Sequence, residues 1–197
     1  NSIRGQEANT ARSLPATAYA GVPEVAQKNW NQTGALNIGS LATRTISSIA
    51  SPSAGVLVDS RGDATPVGLS FTMNNTWNIN NEKLTPYGSL YAGYLDTNSV
   101  NNASVTLSDI PYASYDVYVY FGAGGSGSTP NPWSAYPEAN YAKFSDKTSS
   151  SVTVTFLRGS ANGGINAIQI VPTEQPTPYD EWAASRGMNV LAEGAPE

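Results

Sequence analysis

Tyr115-Asp-Val-Tyr-Val-Tyr-Phe121 alternates two chemistries residue by residue. Val117, Val119 and Phe121 fall on one side, and Asp116, Tyr118 and Tyr120 on the other. Successive side chains of an extended backbone point to opposite faces, so period two predicts a β-strand. Two unlike faces on one strand predict an antiparallel sheet. Working outward, Val67-Gly-Leu-Ser-Phe-Thr-Met73 repeats the pattern, with Val67, Leu69, Phe71 and Met73 inward and Gly68, Ser70 and Thr72 outward. Val105–Leu107, 152–157 and 165–171 read as further strands, 56–58 and 90–95 as shorter ones, and 2–5 as a short edge strand. Asp59-Ser-Arg-Gly-Asp63 has the residues of a tight reversal. Together these predict an all-β fold, an antiparallel β-sandwich of jelly-roll type.

The sandwich is expected over 1–171 and a linker over 172–178, where Pro172, Pro176 and Pro178 stiffen the chain. A short C-terminal helix and tail are expected over 179–197. Thr177 suits its N-cap, Pro178 its first position, Asp180 the capping-box spacing and Gly187 its end. The helix is expected to lead towards a further segment. Two loops interrupt the strands. Asn74–Glu82 is an asparagine-rich loop around Trp77, and 122–141 is a long Gly/Ser/Pro loop carrying Trp133 and Tyr136.

Composition removes whole classes of function. The 197 residues contain no cysteine and no histidine. Disulfides, thiolate metal sites, Ser-His-Asp triads and histidine-ligated zinc are therefore absent from the chain's repertoire. Net charge is −5 and charged residues are 13% of the chain, with no basic stripe to neutralise nucleic-acid phosphates. So little charge, with so much Asn, Ser, Thr and Gly, predicts a secreted or extracellular protein. No apolar run approaches the roughly 20 residues of a membrane-spanning helix. The chain opens at Asn1 without a charged or apolar leader, so any signal peptide is expected to have been removed.

Several pieces carry a resemblance: Ala20-Gly-Val22, Gln27-Lys-Asn-Trp-Asn31, Leu57-Val-Asp-Ser60, Gly93-Tyr-Leu-Asp96, the run from Ile110 to Phe121, Asn140-Tyr-Ala-Lys-Phe144, Gly163-Gly-Ile-Asn-Ala-Ile-Gln-Ile-Val171 and Tyr179-Asp-Glu-Trp-Ala183. Over residues 20–185 the chain resembles a β-sandwich domain that recurs in large secreted proteins of environmental bacteria, a family without an assigned activity. The closing strand is similar to galactose-binding-like and malectin-like jelly rolls, which implies sugar binding. The chain departs from the family between Gly122 and Ala135, where a strand-rich insert is shortened.

Candidate ligand-binding residues follow from shape and polarity. Trp133 and Tyr136 offer flat rings for sugar C–H faces, or alternatively a cap on the sandwich end. Trp77 sits among Asn74, Asn75, Asn78, Asn80 and Asn81, whose amides donate and accept at once; asparagine is equally a turn residue. Tyr118 and Tyr120 form either a packing ladder or a concave binding face. Trp30 is expected to be structural. Asp59, Asp63, Asp96, Asp109, Asp116, Glu138 and Asp146 supply oxygens that suit structural calcium, without EF-hand spacing. No two of these acids show the spacing of a glycosidase couple, and Arg61-Gly-Asp63 reads first as a turn. No cofactor is expected. The sequence predicts a non-catalytic carbohydrate-binding module of a secreted or cell-surface protein, whose partner is a polysaccharide or other glycan. The alternative is a self-assembling subunit of an extracellular fibre, sheath or surface layer, joined through Asn1–Ala18 or the C-terminal tail.

Overall fold

The computed structural model describes residues 2–4, 14–32, 42–45, 57–73, 75–78, 90–91, 93–97, 102–122, 141–157, 164–173, 182 and 186. Eleven strands lie among them: β1 (Ser2–Arg4), β2 (Asn31–Gln32), β3 (Ala42–Thr45), β4 (Gly68–Met73), β5 (Asn75–Asn78), β6 (Gly93–Asp96), β7 (Ala103–Ser108), β8 (Tyr115–Gly122), β9 (Tyr141–Lys147), β10 (Val152–Phe156) and β11 (Gly164–Pro172). They form two sheets. The small sheet runs β10-β7-β4-β3. In the large sheet β11 has β8 and then β9 on one side. On its other side β6 pairs with Gly164 and Ile165, and β1 pairs further along with Ala167–Gln169. Beyond these lie β5 and β2. Every pairing is antiparallel except β1 with β2.

The core forms where the apolar faces of both sheets meet. Leu69, Phe71, Val105 and Leu107 come from the small sheet; Leu95, Val117, Val119, Ile165, Ile168 and Ile170 come from the large one. In β7 burial alternates strictly, with Ala103, Val105 and Leu107 inside and Ser104, Thr106 and Ser108 outside. Each fully buried aliphatic or Phe side chain contributes about 1.5–3 kcal/mol. Phe121, on the same side of β8 as Val117 and Val119, is only half-buried and packs against the core, 6.0 Å from the ring of Phe156. The register of β11 shifts between Ile165 and Ala167. This bulge lets Ile165 share the core face with Ile168 and Ile170, leaving Ala167 and Gln169 on the opposite face. Just before it, a Cβ on Gly164 would stand 1.8 Å from the Leu95 carbonyl oxygen. Only glycine permits that approach of β11 to β6.

Several local expectations change. Val58 makes only an isolated bridge to Ala64, across the 59–63 reversal, rather than a strand. Leu90 and Tyr91 are helical, and the strand begins at Gly93. Part of the expected asparagine loop is β5, because its backbone is captured by β6. The segment from Ser2 is no edge: β1 lies between β11 and β2. Strands β3 and β9 carried no strand expectation. β11 extends through Pro172, opposite Tyr115. Within the expected C-terminal helix only Trp182 and Arg186 are described, with the Arg186 guanidinium 5.0 Å from the Trp182 ring centre. Among the described residues no helix is long and apolar enough to cross a membrane.

Candidate functional site

The tyrosine face of β8 is filled from within the chain. Tyr118 is 6% exposed and Tyr120 fully buried, so Tyr120 offers no surface to a ligand. Leu14, Ala20, Val22 and Trp30 fold across the outer face of the large sheet and form a second core there with Leu90, Tyr91 and Ala167. Trp30 meets Tyr120 edge-on at 5.9 Å, and Tyr91 does the same at 6.2 Å. The Tyr120 hydroxyl donates to Gln169 Oε1 at 2.7 Å and accepts the Val22 N–H at 3.1 Å. Gln169 Nε2 donates in turn to the Val25 carbonyl and, at 3.3 Å, to Gln27 Oε1. Trp30 Nε1 donates to the carbonyls of Gln27 at 2.9 Å and Ala20 at 3.3 Å. Gly21 sits at φ +111°, and a Cβ there would stand 3.0 Å from Gln169 Oε1 and 3.1 Å from the Tyr120 hydroxyl. Backbone handedness and space both demand glycine. Burying Tyr120 is favourable because its polar tip finds partners.

Asp59, Asp63 and Asp116 are engaged in local structure. Asp59 Oδ1 accepts the N–H groups of Arg61 at 2.8 Å and Asp63 at 3.0 Å, and Oδ2 lies 3.2 Å from Arg61 Nη2. Partial burial pushes the Asp59 carboxyl up, but these two N–H groups and the guanidinium outweigh it and leave it below its ordinary value. Arg61-Gly-Asp63 thereby closes on itself, with Arg61 Nε also 3.3 Å from Asp63 Oδ2. Asp116 Oδ2 pairs with Lys143 Nζ at 2.7 Å, and Oδ1 accepts the Asp146 N–H at 3.1 Å. Burial raises the Asp116 carboxyl, and Lys143 with the Asp146 N–H lowers it further than burial raises it. The bond to Asp116 correspondingly raises Lys143. Lys143 Nζ also stands 5.5 Å over the Tyr118 ring. Among the described residues no three acids gather into a metal-sized cluster.

The small sheet has a different outer face. Each of its strands carries a hydroxyl residue at i and i+2: Thr43 and Thr45, Ser70 and Thr72, Ser104 and Thr106, Thr153 and Thr155. The registers align them in two rows, Thr45-Ser70-Thr106-Thr153 and Thr43-Thr72-Ser104-Thr155. Neighbouring strands place such positions about 4.8 Å apart, and i to i+2 spans about 6.7 Å along a strand. Thr106 and Thr153 join their hydroxyls across the strands at 2.8 Å. Thr153 and Thr155 are exposed; Ser70, Thr72, Ser104 and Thr106 are half-buried. Neither row contains a charge.

The rim between the sheets is a second feature. β9 and β10, each at an edge among the described strands, flank an open cleft of about 360 Å³, lined by Val117, Phe144, Lys147 and the β10 residues Val152–Thr155. Phe144 is 49% exposed and Leu157, just past β10, 72%. Neither the hydroxyl rows nor this rim was anticipated as a site. The Ser/Thr-x-Ser/Thr spacing is visible in sequence, but only strand register turns four such pairs into rows. Of the expected binding residues, Trp133 and Tyr136 lie outside the described residues. Trp77 is described only as a backbone position on β5, opposite Tyr94. The structure thus brings together only Tyr118 and Tyr120, both inside the second core. No family model, curated protein or solved structure matches the chain.

Proposed function

We propose that this chain is a non-catalytic carbohydrate-binding module of a secreted or cell-surface protein, with a sandwich of jelly-roll type. The observation that supports it is the uncharged double row of hydroxyls on the outer face of the small sheet. A serine or threonine hydroxyl both donates and accepts, as a sugar hydroxyl does, so a repeated array suits a repeated ligand. A catalytic role lacks support: the chain has neither His nor Cys, and Asp59 and Asp116 are held in ion pairs and turns. Affinity electrophoresis through gels containing a panel of neutral and acidic polysaccharides tests the reading. The wild-type chain should be retarded in at least one gel. Thr106→Val with Thr153→Val should lose most of the retardation and keep the melting temperature. A chain retarded in no gel, or retarded equally after both substitutions, refutes binding at this face. Trp133→Ala measured alongside shows whether the loop aromatic contributes. The second reading, a self-assembling structural subunit, is favoured by the character of β10.

A further inference from the structure

The sheet edges differ sharply in how they are protected. A free strand edge presents unpaired backbone N–H and C=O groups, and proteins guard such edges with lysines, other charges and bulges. On β9 stand Lys143, Asp146 and Lys147; Asp146 has φ 56°, and the β8–β9 register shifts beside it. On β3 stands Arg44, and β5 carries Asn75 and Asn78, which disfavour strands. β10 has none of these. Val152-Thr-Val-Thr-Phe156 is uncharged, free of glycine and proline, and four of its five residues are β-branched. Its pairing partner among the described strands is β7 alone.

We infer that β10 pairs antiparallel with β10 of a second copy about a two-fold axis through Val154. The pattern of the strand favours its own copy. With Val154 opposite Val154 of the second copy, Val152 falls opposite Phe156, and all of these lie on the core side. Val152, Val154 and Phe156 are only half-buried and pack against the sandwich core, so the pairing would cover apolar surface that the single chain leaves open. On the other side Thr153 falls opposite Thr155. Threonine pairs across strands are favourable, and this one would continue both hydroxyl rows into the neighbouring sheet. A two-fold axis also sets any charge close to it near its own counterpart. β9 would bring Lys143 and Lys147 towards their counterparts, whereas β10 brings no charge at all. A strand register off by one residue would oppose apolar to hydroxyl faces, and an axis through Thr153 or Thr155 would pair only three residues of each strand, so Val154 is the axis that pairs all five. The occupant of this edge is therefore a second copy of the chain. A two-fold contact closes at a dimer, so β10 would supply one of the contacts that the alternative structural reading needs; Ser2–Arg4 of the N-terminal segment already pairs within its own sheet.

The chain has no cysteine, so a single introduced thiol reports the axis. Val154→Cys should give a disulfide-linked dimer under mild oxidation, because opposite positions lie within about 5 Å across the strands. Leu157→Cys should not, since Leu157 would face Ser151 of the second copy and the two introduced thiols would stand roughly 20 Å apart. Thr153→Lys with Thr155→Lys opposes two pairs of like charges at exposed positions, and should raise the dissociation constant from sedimentation equilibrium at least tenfold, with circular dichroism unchanged. A five-residue ladder is a small interface, so the wild-type chain is measured up to roughly 1 mM. A wild-type chain that stays monomeric there overturns the inference together with the structural reading. A wild-type assembly that resists the double lysine variant, or cross-links equally through 154 and 157, overturns the β10 axis alone. Loss of polysaccharide retention leaves this result untouched, because the cross-link is read without ligand.

Discussion

Removing one oxygen from Tyr120 tests whether the segment around residues 14–30 belongs to the fold. Tyr120→Phe keeps the ring against Trp30, Tyr91 and Tyr141, so the apolar surface it buries is unchanged. What disappears is the hydroxyl that accepts the Val22 N–H and donates to Gln169 Oε1. Both bonds are buried. A buried group left without its partner costs about 1–3 kcal/mol, so the two together should cost about 2–6 kcal/mol. The hole left by one oxygen is too small for a water to replace it. Urea melts should therefore shift by that amount with little change in slope. Adding Gln169→Met should cost less than the sum of the single losses, with a coupling of at least about 1 kcal/mol, since the second substitution removes an acceptor already stranded. A Tyr120→Phe loss below about 0.5 kcal/mol would refute the reasoning, because a surface substitution does as much.

Three further outcomes are expected. Phe71→Ala, fully inside the main core, should cost about 3–5 kcal/mol in denaturant melts, and Phe121→Ala clearly less, since Phe121 is half-buried; equal losses would mean the rim is closed over Phe121. The Asp116–Lys143 pair should shape the pH profile of stability. The Asp116 carboxyl is lowered in the fold, so its contribution is present above its ordinary 3.8 and lost as pH falls through the lower folded value. Lys143 is raised, so its contribution is present below 10.5 and lost as pH rises through the higher folded value; Asp116→Asn should flatten both limbs of a melting-temperature profile, and an unchanged acid limb contradicts this. Deleting residues 1–18 strips β1 from β11 and Leu14 from the second core, and should lower the melting temperature; an unaltered melt would mean that this part of the chain adds nothing to the fold.

The parts of the fold legible in sequence are those with uninterrupted period two. β4, β7 and β8 alternate without a break, and their faces are those the residues predict. β11 is harder, because Ile165 and Ile168 stand three apart; that spacing is itself the mark of the bulge that sets both on one face. β5 was hidden because Asn75 and Asn78 are turn residues by propensity, and only pairing with β6 overrides it. The second core was illegible for a different reason. Its bonds join residues 98 positions apart, as Val22 to Tyr120, and 144 apart, as Val25 to Gln169. No local pattern announces them, although Gly21 and Trp30 are both explained once the contacts are known. Edge status is equally non-local. Val152–Phe156 reads as a strand from its residues, but whether it ends a sheet depends on what pairs beyond it.

The two outer faces of the sandwich pose opposite problems, and this decides which one is free. A tyrosine exposes a large ring, about 150–250 Å² of surface when fully buried, and two of them side by side on a strand favour a cover. The chain supplies that cover itself, with Trp30, Val22 and Leu14, and satisfies the hydroxyl of Tyr120 in doing so. Serine and threonine rows need no cover, since their hydroxyls are as well satisfied by water as by protein. Covering them without matching each hydroxyl would cost free energy. The aromatic face, which in sequence looks the more promising place for a ligand, is thus the one the fold consumes. Among the described residues Thr153 and Thr155 of the hydroxyl face are exposed and Ser70, Thr72, Ser104 and Thr106 half-buried, and a partner that binds there must replace the water it displaces bond for bond. A glycan meets this demand through its own hydroxyls, and an apolar partner does not. That is why the proposal is tested with polysaccharides and read through Thr106 and Thr153, the pair whose hydroxyls already meet across the strands.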